Sequence, residues 1–156
     1  MRRQYMSNTE GRKTMIYKAT RLIARAMDAE EIKYSVHEQE NYSEVSAMFG
    51  VKNGPDAVVR FLSSDDDNDV RIVLFGLVRD VAEEKQAEML KAINECNNKF
   101  RYIKFILDSD NDVNLEYDLP LRTDDCCVGE VACETFLRIM KIVEDCYPVF
   151  MKVIWS

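Results

Sequence analysis

Residues 82–120 read AEEKQAEMLKAINECNNKFRYIKFILDSDNDVNLEYDLP, and this run decides the fold. Ala82–Lys99 consists of strong helix formers with a narrow apolar stripe at Met89, Leu90, Ile93, Cys96 and Phe100. Glu83 and Glu84 stand where the positive end of a helix dipole favours acids. Tyr102–Leu107 then runs as a strand into a turn at Asp108–Asn111. Beyond it Val113, Leu115, Tyr117 and Leu119 alternate strictly with Asn114, Glu116 and Asp118, the period of a strand with one buried face. Pro120 ends that strand because it cannot donate to a ladder.

Working upstream, Ala57–Leu62 and Val70–Val78 are strands joined by the acidic turn Ser63–Asp69. Both are apolar on two faces: Val59 and Phe61 oppose Val58 and Leu62, and Ile72 and Leu74 oppose Val73 and Phe75. A strand covered on one side only alternates more cleanly, so a covering is expected on the second face, from this chain or a partner. Two weaker strand segments lie at 33–38 and 45–52, the latter closed by Asn53-Gly54-Pro55. Before them, Ile16, Ala19, Leu22, Ile23, Ala26 and Met27 recur at helical spacing from Thr14 to about Asp28–Glu31. Downstream, Asp124 or Asp125 is placed to cap a final helix with a stripe of Phe136, Ile139, Met140, Val143, Tyr147 and Phe150. Pro148 predicts a kink or a break into two helices near Cys146.

The order is α-β-β-β(-β)-α-β-β-α, with four strands before the second helix on the full reading. Runs of strands without a βαβ repeat predict an α+β fold, a two-layer antiparallel sheet with helices packed on one face. Residues 1–13 read as a flexible basic leader, and 14–156 as a single domain, a usual size for one.

Composition narrows the function. Gly and Pro number 5 and 3, where average usage would give roughly 19 together, so neither a low-complexity chain nor a glycine-rich phosphate loop fits. The chain carries 21 Lys+Arg against 28 Asp+Glu, a net charge of −7, although residues 1–25 alone are net +6. So acidic a body repels phosphate backbones, which argues against nucleic acid. No stretch has the uninterrupted apolar length of a membrane span. Five cysteines, an odd number, without an export signal lead to an expectation of free thiols and a cytoplasmic location.

Candidate chemistry is sparse. Asp108-Ser-Asp110-Asn-Asp112 copies the first five positions of a calcium loop, but the positions that need Gly and a bidentate Glu are Val113 and Leu119. Cys126 and Cys127 are adjacent, and with Cys133 and Cys146 they lack the spacing of a zinc site or a redox pair. His37, the one histidine, sits beside Glu38 and Glu40 with no nucleophile tied to it. No catalytic residue, metal ligand or cofactor is therefore assigned. Asn94 and Asn97 lie on adjoining positions of one helical face near the apolar stripe. Buried amides there need bonds, and the backbone of the following hairpin, or a ligand, could supply them.

Leu90-Lys-Ala-Ile93-Asn94-Glu-Cys-Asn97, Phe100-Arg-Tyr-Ile-Lys104-Phe105 and Asp110-Asn-Asp-Val113-Asn-Leu115-Glu116-Tyr-Asp118-Leu119 together resemble the bacterial YbjN-like family. Its members show a helix ending in Asn-x-x-Asn, a strand bearing a lysine or arginine, a tight turn, and an acidic residue opening the last helix, matched by Glu130. The turn has Asn111-Asp112 where the family often has Gly. The likeness spans roughly residues 16–150 and is strongest over 88–143. It implies a fold similar to type III secretion chaperones, in the order α-β-β-β-α-β-β-α. It also implies a regulatory or chaperone-like role, and it carries over no catalytic residue.

The apolar surplus supplies the functional expectation: a non-enzymatic binding protein, a homodimer that holds a partner polypeptide. The expected contacts are Val58, Leu62, Val73 and Phe75 on the second sheet face, with Phe150, Ile154 and Trp155 at the end. The alternatives are a small-ligand or metal-binding sensory regulator, using the acidic turns or cysteines, and a small enzyme around His37.

Overall fold

A computed structural model of the chain describes residues 16–64, 69–120 and 127–156. The leader 1–13, the capping Asp124 and Asp125, Cys126 and most of the Asp65–Asp69 turn lie outside these residues. The elements are α1 (Lys18–Ala29), β1 (Tyr34–Glu38), β2 (Ser43–Gly50), β3 (Asp56–Ser63), β4 (Val70–Val78), α2 (Glu83–Lys99), β5 (Lys104–Leu107), β6 (Val113–Leu119) and α3 (Val128–Trp155). This is the α+β order read from the sequence, including the additional early strand that the resembled order lacks.

The six strands form one antiparallel sheet in the order β1-β2-β3-β4-β6-β5. Directly opposed residues in such a sheet share a face, so the register separates the two surfaces. Val36, Val45, Phe61, Ile72 and Tyr117 form one row across five strands. Its central members, Val45, Phe61 and Ile72, are wholly buried, and this is the face the helices cover. The next row, Ser35, Ser46, Arg60, Val73 and Glu116, points away from the helices. Gly76, at φ +65°, takes part in an irregularity between Leu74 and Val78 where β4 pairs with β6.

α3 packs against both α1 and α2. Its Gly129 permits the close crossing with α1: an added Cβ would stand 2.6 Å from the Leu22 carbonyl oxygen. At the other end of α1, the Tyr17 amide donates to Ser43 Oγ at 3.0 Å, and Ser43 Oγ meets Thr20 Oγ1 at 2.8 Å. α3 runs unbroken for 28 residues with Pro148 inside it, so the expected break into two helices does not occur. Proline removes a single backbone donor, whereas Cys146, Tyr147 and Phe150 around it are all buried in the core. That packing holds the helix together through the missing bond.

Candidate functional site

The outward face of the sheet carries a cluster of exposed apolar side chains. Met48 and Val58 are paired across β2 and β3 and are 63% and 36% exposed; Phe75 on β4 is 49% exposed. Leu62, half-buried, belongs to the same face, opposite Glu44 and Arg71. Val73 shares the face but is wholly buried, with Arg60 and Glu116 as its cross-strand neighbours. Charged side chains of both signs border the patch: Arg71 pairs with Glu116 at 3.1 Å, and Arg60 stands 3.8 Å from Glu44. His37 lies on this face too, exposed and opposite Glu44.

The three residues expected from the end of the chain do not join this patch. Phe150 is wholly buried, its ring edge-on to Phe105 at 5.0 Å between centroids. It is a core residue rather than a surface contact, because α3 turns that side toward the sheet. Ile154 is half-buried against the same core. Trp155 is 83% exposed.

A second feature is the junction of α2 and β5. Asn97 Nδ2 donates to the Phe105 carbonyl at 2.9 Å, and the Phe105 amide donates to Asn97 Oδ1 at 2.8 Å. The side-chain amide thus pairs with the edge of β5 as another strand would. Lys104 Nζ reaches back to the carbonyls of Asn97 and Phe100, at 2.8 and 2.7 Å, placing a cation on the negative end of α2. Asn94 is exposed and makes no such bond, so only one of the two asparagines has the role expected of them. The reciprocal clasp leaves few residues to turn the chain, and Tyr102 takes φ +67°. β5 therefore starts at Lys104 and not at Tyr102. A left-handed conformation costs a non-glycine residue about 1–2 kcal/mol.

The 100–103 segment forms one wall of a cavity of about 360 Å³. A helical stripe of α3 (Val131, Thr135, Arg138, Ile142) forms the opposite wall, with Tyr117 of β6 alongside. Ile103, Thr135 and Ile142 are buried; Arg101, Tyr102, Glu134, Arg138 and Lys141 are exposed around it. The Tyr102 and Tyr117 rings lie 6.0 Å apart between centroids, tilted by 41°. Nothing in the sequence spacing announces this cavity, because its walls come from three separated segments.

A family model described as "Putative bacterial sensory transduction regulator", YbjN, matches residues 20–141. The chain belongs to the YbjN family. No curated protein and no solved structure matches it. The motifs behind the resemblance now have structural roles in this YbjN domain: the second asparagine of Asn94-x-x-Asn97 and the strand lysine Lys104 form the clasp between α2 and β5.

Two further sequence candidates, the acidic turn and the cysteines, take structural positions among the described residues of the YbjN domain. Asp108 Oδ1 accepts from the amides of Asp110 and Asp112, both at 2.9 Å, and Oδ2 from Asn114 Nδ2 at 2.6 Å. The calcium-like run is thus an ordinary acidic turn whose first carboxylate is occupied by protein donors. Those donors, the Asp112 amide foremost, hold Asp108 below its ordinary carboxyl value. Asn114 Oδ1 in turn accepts from the Gly76 amide at 2.7 Å and ties the turn to β4. Among the described residues no group of three or more His, Cys, Asp or Glu could hold a metal ion. Cys96, Cys133 and Cys146 are free and buried, and burial pushes all three thiols up. Among the described residues, no helix is long and apolar enough to cross a membrane.

Proposed function

We propose that this YbjN-family chain is a non-enzymatic regulator that binds polypeptide through the outward face of its sheet, and that its first partner there is a second copy of itself. One observation carries the reading: Met48, Val58 and Phe75 are exposed together on the face opposite the helices. Contiguous apolar patches of this kind mark interaction surfaces. Charges of both signs flank the patch, so a second copy brings both signs to the shared surface. The family's description as a sensory transduction regulator agrees with a binding role. A cytoplasmic location belongs to the same proposal, and the free thiols at Cys96, Cys127, Cys133 and Cys146 support it.

Light scattering at micromolar concentration tests this directly. The expected result is a dimer that Phe75→Glu converts to a monomer with the wild-type circular dichroism spectrum and a melting temperature that no longer depends on protein concentration. A wild-type monomer removes the dimer, and a Phe75→Glu dimer moves the interface elsewhere.

A further inference from the structure

We propose that the cavity between α3 and the segment leading into β5 binds a small amphipathic anion, a molecule with an apolar body and a carboxylate or phosphate head. The site lies on the helix-covered side of the sheet and is independent of the outward face.

The cavity's size and lining set the ligand class. At about 360 Å³ it falls in the lower part of the range, roughly 300–1,000 Å³, of pockets that hold small molecules. Its depth is apolar: Ile103 and Ile142 are buried, with Phe100, Tyr117 and Val131 half-buried beside them. Thr135, the polar residue buried there, already donates its hydroxyl to the Val131 carbonyl at 2.8 Å. A sugar or other many-hydroxyl ligand would need donors and acceptors along such walls and finds few. An apolar body needs none.

Charge is confined to the exposed part. Arg101, Arg138 and Lys141 gather there against one acid, Glu134, on a chain whose net charge is −7. None of the three cations has an ion-pair partner among the described residues. Three unpaired like charges repel one another, and an anion held among them relieves that repulsion. Arginine also binds carboxylate or phosphate through two parallel hydrogen bonds. Tyr102 adds a second argument. Its ring is exposed at the cavity, 6.0 Å from that of Tyr117, and offers a flat apolar surface to the ligand's body beside the cations.

The test is calorimetry and thermal melting of the full chain with four eight-carbon probes below their micelle concentrations: octanoate, octyl phosphate, octanol and octylammonium. At least one of the two anions is expected to bind one per chain and raise the melting temperature, while octanol and octylammonium do neither. Which anion binds more tightly separates a carboxylate ligand from a phosphate one. The double variant Arg138→Glu, Lys141→Glu alters exposed side chains, so it should melt like wild type without ligand yet bind the anion about tenfold or more weakly. Val131→Trp should fill the cavity and abolish binding, and Phe75→Ser, on the opposite face, should leave it intact. Loss of binding in Phe75→Ser would assign the anion to the outward face and refute the site. Equal binding of octanol, equal binding of bare inorganic phosphate, undiminished binding by the double variant, or no anion binding at millimolar concentration would each overturn the proposal.

Discussion

Asn97→Ala removes both side-chain bonds to Phe105, at 2.9 and 2.8 Å. Phe105 is 2% exposed, so its freed amide and carbonyl lose their partners where water reaches poorly. A net hydrogen bond is worth about 1 kcal/mol and each buried group left unsatisfied costs about 1–3 kcal/mol. Partial rehydration at an edge strand offsets some of this, leaving a loss of about 2–4 kcal/mol. In a domain of this size that loss corresponds to a melting temperature lower by about 10 °C. Urea unfolding followed by circular dichroism measures it. Asn94→Ala is the matched control: the same residue type on the same helix, exposed and unbonded, expected to stay within about 0.5 kcal/mol of wild type. Asn97→Asp keeps the acceptor and loses the donor, so it should fall between the two. If Asn97→Ala and Asn94→Ala unfold at the same urea concentration, the clasp has no energetic weight and the reasoning fails.

Phe150→Ala should cost about 3–5 kcal/mol in the same urea assay, as deletion of a buried aromatic does. Trp155→Ala should stay within about 0.5 kcal/mol; equal effects would contradict the placement of Phe150 in the core. Asp108 has a folded-state value below its ordinary 3.8, so its contribution is full above that ordinary value and is lost as pH falls through the lowered one. The stability gap between wild type and Asp108→Ala should therefore narrow as acid is added below about pH 4, and a gap that widens would reverse the assignment. Cys96, Cys133 and Cys146 should resist a thiol-exchange reagent at pH 8 until urea is added, because burial raises their pKa values and keeps thiolate scarce. Mass spectrometry of the labelled peptides reads this out, and rapid native labelling of Cys146 would contradict it.

What could be read beforehand was what local periodicity encodes. β6 matches its alternating stretch, Val113–Leu119, residue for residue, and α2 starts one residue inside Ala82. Period two also placed Val58, Leu62, Val73 and Phe75 on a common face, since parity along a strand fixes the side each residue takes. Exposure within that face was not legible, because Val73 is buried by what stands beside it on neighbouring strands and not by its own sequence context. Phe150 failed for a related reason. α3 is contacted from several directions, so its apolar stripe is broad and does not distinguish core from surface. Tyr102 reads in the sequence as the start of the strand that runs to Leu107, and only the clasp between α2 and β5 explains its left-handed backbone. The cavity was invisible for the same cause, its walls being up to about forty residues apart in the chain.

The clasp at Asn97 also decides how this sheet ends. On the β5 side, a side-chain amide occupies the backbone positions at Phe105 that another strand would use, so the ladder is closed by chemistry and not by length. On the β1 side no further strand lies beside Tyr34–Glu38 among the described residues. Edge strands are where foreign strands add, and proteins guard them with charge. At the β1 edge the guard is charge, from Lys33 and Glu38, where at β5 it is the clasp.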